Sequence, residues 1–127
     1  MFRCRPQIDG SAIRATTLIL FANILLDAGG MNAAIVRQLL WTNNANVYNG
    51  GAILYDLDFV ASSWQSPSCD LWEEIRSDDM FWDLTQFKLA MELGARFAAR
   101  MGDSSRAQLY KSQLVLIAQK LVTLFTL

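Results

Sequence analysis

The chain has 127 residues, which is the length of one ordinary domain. Its net charge is −1 and its basic residues are scattered, which excludes the electrostatic footprint of a nucleic-acid-binding or anionic-membrane-binding protein. There is no histidine, which excludes Ser-His-Asp and Cys-His catalysis and histidine-ligated zinc. Any proton transfer must therefore use carboxyl groups. Hydrophobic residues make up 53% of the chain. Either the core is unusually large, or some of these residues pack against neighbours that the chain lacks.

The two cysteines, Cys4 and Cys69, lack metal-ligand spacing. They could pair if the fold brings them together, but the sequence favours two free, buried thiols. No cofactor and no metal are expected. The most apolar run, Leu18–Leu26, is interrupted by Asn23 and is far shorter than the roughly 18 residues of a membrane span. We therefore expect neither a membrane-spanning segment nor a targeting segment.

The first predicted helix covers Ala12–Ala28 and follows Asp9 or Ser11 as a candidate N-cap. It should end at the Gly29-Gly30 pair. Its apolar side chains occupy nearly the whole circumference, a pattern typical of a helix buried on all sides. A second, shorter helix is predicted over Met31–Trp41, and the Asn- and Gly-rich segment Thr42–Gly51 is predicted to be a loop.

Three further helices are predicted from apolar residues at three- and four-residue steps. The third carries Ile53, Leu57, Val60, Ala61 and Trp64; the fourth, about Met80–Met101, carries Leu84, Phe87, Met91, Ala95 and Ala98; the fifth carries Ala107, Tyr110, Leu114, Ile117 and Leu121. Small residues around Gly94 would let another helix approach closely. Gly102-Asp103-Ser104 should end the fourth helix and cap the fifth. Without convincing strand alternation, the predicted fold class is all-α, built from antiparallel helical hairpins.

The acidic stretch Ser66–Ser77 is the strongest candidate site. Six of the twelve acidic residues lie between Asp70 and Asp83. Adjacent carboxylates repel and the indole of Trp72 excludes water, and both effects raise the pKa of an acid toward that of a proton donor. The alternative is a solvated acidic turn at a helix start, where the helix dipole favours negative charge.

Two ordered motifs resemble one family. Segment Arg5–Ala15 resembles the Arg-Pro-Gln-x-Asp-Gly-x-Ala-x-Arg-Ala segment of the fungal glucoamylases, glycoside hydrolase family 15. The stretch Ser66–Ser77 is similar to that family's active-site signature at every specified position. The likeness extends over about Arg5–Leu121, with an expansion around Thr42–Gly51.

The resemblance implies an (α/α)6 barrel, of which residues 1–127 would form an incomplete part. It also implies release of glucose from the non-reducing ends of α-1,4-glucans, with inversion. An inverting enzyme uses one carboxyl group to protonate the leaving oxygen and another to activate water. The resemblance makes Glu73 the proton donor, and Asp70 and Glu74 the acids that tune it. The expected substrate-binding groups are the Leu71 backbone, Trp72 and Arg5, and Arg5 could equally form an ion pair with Asp9 or Asp70.

The chain departs from the family pattern in three places. Arg3-Cys4 stand where the family has Trp-Gly, and neither the N-terminal substrate-gripping segment nor the half with the catalytic base is matched. The sequence therefore predicts a glucoamylase-like fragment with little or no activity alone. Starch or maltooligosaccharide would be the substrate of the complete domain, and exposed apolar helix faces would favour self-association. The resemblance implies secretion, although no signal peptide is visible.

Two alternatives remain. The chain could be a small all-helical interaction or structural protein whose acidic turn is only a capped loop. It could also belong to an unrelated helical-barrel carbohydrate enzyme. The two motifs at the family's spacing favour the glucoamylase-like prediction.

Overall fold

A computed structural model describes residues 7–42, 50–69, 76–77 and 80–125. The described residues form an all-α fold with one very short β-ladder, which confirms the predicted fold class. The elements are α1 (Asp9–Ala28), α2 (Gly30–Ile35) continued by a π-helical turn (Val36–Leu40), α3 (Ala52–Ser63), β1 (Ser68–Cys69), β2 (Arg76–Ser77), α4 (Phe81–Arg100) and α5 (Ser104–Thr123).

Helix α1 begins three residues earlier than the sequence predicts. Ile8 is the N-cap, and no side chain caps the helix, so the prediction of Asp9 or Ser11 as N-cap is wrong. Asp9 lies instead in the first turn, where the helix dipole favours a carboxylate. The helix ends at Ala28 as predicted, because Gly29 takes a positive φ of 70° that glycine adopts without strain.

Only one stripe of α1 is buried within the described fold, and it consists largely of small residues: Ala12, Ala15, Ile19 and Ala22. Leu20, Phe21 and Ile24 are exposed at 56%, 54% and 66%. The prediction of burial on all sides is therefore wrong for this part of the fold. By length and composition α1 could also cross a membrane, since its mean hydropathy reaches 1.4, a property that core helices of soluble proteins share.

Helices α3 and α4 cross at Gly94 of α4, a residue that has no side chain. A Cβ built on Gly94 would lie 2.8 Å from Leu57 Cδ2, so glycine is what permits this close approach. The predicted face of α4 is buried, and four of the five predicted positions of α5 are buried as well, with Leu114 half-buried. Asp103 caps α5 by accepting a hydrogen bond from the Arg106 backbone N–H at 3.1 Å, as predicted.

Helices α1 and α4 contact each other at both ends. At one end Trp82 Nε1 of α4 donates to Asp9 Oδ2 of α1 at 2.9 Å. At the other end Arg100 Nη2 donates to Asp27 Oδ1 at 2.6 Å. Helices α1 and α4 therefore run parallel, whereas α4 and α5 form the expected antiparallel hairpin. The starts of α1 and α4 lie together, beside the β-ladder.

Candidate active site

The residues predicted to carry the chemistry lie outside the described part of the chain. This holds for Arg5, Asp70, Leu71, Trp72, Glu73 and Glu74. Their assigned roles stay predictions. The structure does describe both flanks of the acidic stretch and the protein surface against which those flanks pack.

The flanks pair as a two-residue antiparallel ladder. Ser68 lies opposite Ser77, and Cys69 lies opposite Arg76. Residues 70–75 connect the two strands, so this ladder forms the base of the connection that contains Glu73. We call it the loop base. The sequence analysis did not predict it, because two residues are too few to show an alternating pattern.

The loop base is joined directly to the first motif. The Ile8 backbone N–H donates to Ser68 Oγ at 3.2 Å in a buried hydrogen bond across 60 residues of sequence. Ile8 and Ser68 are exposed at only 7% and 2%. The two motifs that resemble the glucoamylases thus meet in space, as residues that build one site would.

Cys69 corrects one expectation. It is buried, as expected, but it is disulfide-bonded rather than a free thiol. The other cysteine of the chain, Cys4, lies outside the described residues. A disulfide that ends at β1 restricts the loop base covalently, in addition to the ladder and the Ile8 hydrogen bond.

Asp83 is a buried acid that the sequence analysis did not assign to the site. It lies in the first turn of α4 and is only 4% exposed. Its Oδ2 has no hydrogen-bond partner in the described part of the chain. Burial raises the pKa of the Asp83 carboxyl, the charge of Asp9 raises it further, and a hydrogen bond from Ser68 acts in the opposite direction. A signal was present in the sequence, because Asp83 lies four residues before Phe87 on the predicted buried face.

Two acids of α3 are fully paired among the described residues: the partly exposed Asp58 and the buried Asp56. Asp58 accepts hydrogen bonds from Arg106 Nε, Arg106 Nη2 and the Tyr110 hydroxyl, the last at 2.6 Å. Asp56, 1% exposed on its side chain, accepts a bidentate pair of bonds from Arg14. Such pairing is typical of structural ion pairs. The described residues contain no cluster of three metal-ligating side chains.

The arrangement therefore suits one chemical task within this chain. It anchors a short acidic connection at both ends, against the starts of two helices and beside a carboxyl whose pKa is raised. Anchoring of this kind positions a general acid, since an acid must lie within hydrogen-bond reach of the oxygen that it protonates.

Comparisons with known proteins identify the family of the chain. The family model "Glycosyl hydrolases family 15" matches residues 3–126. The glucoamylase of Blastobotrys adeninivorans is 47% identical over 110 residues, which are 86% of this chain and 17% of that protein. Glucoamylase 1 of Rhizopus oryzae is 40% identical over 120 residues, 92% of this chain and 18% of that protein. Glucoamylase-1 of Schizophyllum commune is 38% identical over 112 residues, which are 88% of this chain and 17% of that protein.

No solved structure gives a significant match. The chain spans about a sixth of the length of these curated relatives. The family model nevertheless covers nearly every residue. The chain belongs to glycosyl hydrolase family 15 and corresponds to one part of a glucoamylase-like protein.

Proposed function

We propose that this chain is the part of a glucoamylase-like domain that supplies the general acid for hydrolysis of α-1,4-glucans. The observation that carries the proposal is the buried hydrogen bond from Ile8 to Ser68, which brings the two family motifs together. Family membership supports the same function, and starch or maltooligosaccharide is the proposed substrate.

The proposed mechanism assigns the protonation step to this chain. Glu73 would donate its proton to the glycosidic oxygen as the bond to the anomeric carbon breaks. Asp70 and Glu74, through their negative charge, would keep Glu73 protonated near neutral pH. Trp72, the Leu71 backbone and Arg5 would contact the sugar. The acid that activates water on the opposite face of the ring is proposed to lie in a part of the domain that this chain does not match.

The test uses a chimera in which this chain replaces the matching segment of the Blastobotrys adeninivorans glucoamylase. We expect the chimera to release glucose from soluble starch. Glu73→Gln should lower kcat about 10²–10⁴-fold, which is the usual contribution of general acid catalysis. Glu92→Gln is the matched control, because Glu92 lies on α4 in exposed pairs with Lys88 and Arg96. A chimera that folds and keeps full activity with Gln at position 73 would remove Glu73 as the donor.

The isolated chain is proposed to have little or no activity, because the base that activates water would be missing. Purified chain should release no glucose from maltose, with or without the Glu73→Gln substitution. Glucose release that disappears in the variant would show that an acid of this chain, or of a second copy, activates the water.

We also propose that the isolated chain self-associates through the exposed apolar face of α1, formed by Leu20, Phe21 and Ile24. These side chains are more than half exposed, and a contiguous apolar surface favours association. In a barrel of paired helices, neighbouring helices would cover this face. The double variant Phe21→Ser/Ile24→Ser should be monomeric by sedimentation at concentrations where the original chain associates. Val115→Ser, at an exposed apolar position of α5, is the control.

Secretion is proposed on one structural observation. Cys69 is disulfide-bonded, and disulfides persist mainly in oxidising compartments. This state fits a domain that acts on an extracellular polysaccharide. Mass spectrometry of the protein from its native source, with and without reduction, would detect the disulfide directly.

A further inference from the structure

The inference concerns the surroundings of Asp83, next to the loop base. Apolar walls are supplied by Trp64 at the end of α3 and by Leu84 and Phe87 of α4. The space between them is too narrow to admit a water molecule. Asp83 Oδ2 thus has neither a partner in the described part of the chain nor room for a water that could serve as one. An ionised carboxylate is costly in such a place, whereas a neutral carboxyl is tolerated.

Ser68 connects this carboxyl to the loop base. Ser68 lines the same narrow space as the Asp83 carboxyl, and its hydroxyl accepts the Ile8 backbone N–H at 3.2 Å and donates to the Cys69 carbonyl oxygen at 3.5 Å. Ser68 is itself one of the two ladder residues of β1. The Ser68 side chain therefore lies where three elements meet: the segment before α1, the first turn of α4 and the loop base.

We propose that Asp83 is a positioning residue which, acting through Ser68, holds the loop base against the starts of α1 and α4. The consequence for catalysis rests on the proposed function, since it is the connection above the loop base that contains Glu73. Asp83 acts on the position of that connection and is not assigned any contact with the substrate.

Whether Asp83 keeps the loop base against α1 and α4 depends on whether its carboxyl is protonated. Among the described residues, the charged group that faces it is Asp9 of α1, which has the same sign when both are ionised. The lining that lies outside α4 consists of Trp64, Ser66, Ser68, Ser77 and Met80, which do not titrate in this range. As the pH rises through the raised pKa of Asp83, the new charge requires water and is repelled by Asp9. Both effects favour a state in which the loop base opens.

The test is hydrogen–deuterium exchange of the purified chain between pH 5 and 8, with rates corrected for intrinsic exchange. We expect protection of the amides of residues 68–77 to fall by up to about tenfold per pH unit, the limit for opening linked to one proton. Asp83→Asn keeps the shape and stays neutral, so it should abolish this pH dependence. Asp103→Asn, the matched control at the α5 cap, should leave it unchanged.

Ser68→Ala is a second variant, which removes the Ser68 hydroxyl and leaves the Asp83 carboxyl in place. It should lower protection of residues 68–77 at every pH tested, and adding Asp83→Asn should then have no further effect. The proposal is overturned if Asp83→Asn retains the pH dependence. It is equally overturned if the loss of protection is spread evenly over all helices, since that would be global destabilisation.

These measurements need no substrate, so they are independent of the glucose-release assay. An inactive chimera together with a pH-dependent loop base would refute the proposed function and keep the role of Asp83. An active chimera with a loop base insensitive to Asp83→Asn would do the reverse.

Discussion

The two ends of helix α4 lie beside acidic side chains in opposite environments. At its C-terminal end, the Asp58 carboxylate accepts hydrogen bonds from three donor groups, and Arg106 bridges it to Asp103 at 3.1 Å. At its N-terminal end, Asp83 leaves one oxygen without a partner among the described residues. The first end resembles a structural ion-pair network that is fully satisfied, while at the second end one buried carboxyl oxygen beside the candidate site lacks a partner among the described residues. Asp58 is partly exposed and fully paired, whereas Asp83 is buried with one oxygen unpaired among the described residues, and this combination makes Asp83 the functional candidate.

The largest loss of stability should follow from a substitution in the ion-pair network of Asp58, Arg106 and Asp103. Asp58→Asn removes the charge that pairs with Arg106 and weakens the bond from Tyr110. We expect a loss of roughly 2 kcal/mol in the free energy of unfolding, below the about 3–5 kcal/mol of a fully buried pair because both side chains are 36% exposed. Urea unfolding measures the loss. A change below about 0.5 kcal/mol, typical of a surface pair, would contradict the comparison.

Tyr110→Phe removes one donor from the same network and keeps the ring. Burial and the adjacent Asp58 raise the pKa of the Tyr110 hydroxyl, so it stays protonated and donates at every pH at which the chain is folded. The expected loss is about 1 kcal/mol, the usual value of one hydrogen bond, and it should not depend on pH. Urea unfolding at two pH values checks both statements. The edge-on contact between Trp41 and Tyr110 should persist in the variant, so the near-ultraviolet circular dichroism should change little.

Asp83→Asn should have the opposite sign to Asp58→Asn at neutral pH. The folded state raises the pKa of Asp83, so its protonated form contributes stability that is complete below the ordinary value of 3.8 and is lost as the pH rises through the folded value. Asp83→Asn cannot ionise, so this stability is not lost in the variant as the pH rises. We expect a gain of about 1 kcal/mol at pH 7, the lower limit for relieving an unsatisfied buried polar group, and little change at pH 4. Thermal unfolding at both pH values tests this, and a destabilisation at pH 7 would show that the carboxylate has a partner.

Much of the fold could be predicted from the sequence, because it follows from local periodicity. The stripe from Leu84 to Ala98 and the cap at Asp103 are properties of neighbouring residues, and the structure confirms both. The start of α1 could not be predicted from capping preferences. Asp9 is held in the first turn by Trp82, which lies 73 residues away.

The candidate site likewise has features that the sequence could predict and features that it could not. The motif supplied Glu73 and its neighbours as a prediction, since a motif is a local pattern. It could not supply the role of Ser68, which depends on contact with the segment before α1, nor that of Asp83, which depends on burial. Nor could it show that Cys69 forms a disulfide, because pairing depends on the fold rather than on spacing.

The parallel arrangement of α1 and α4 has a consequence for the order of folding. The bonds that dock α1 span 60 and 73 residues, whereas α4 and α5 are joined by a turn of three residues, Met101–Asp103. Contacts that close long loops carry the larger entropic cost and form late, while local hairpins form early. We therefore predict that the α4–α5 hairpin forms first and that the loop base assembles last, when α1 docks. A chain caught before that step has most of its helices but not the anchor that its catalytic acid would require.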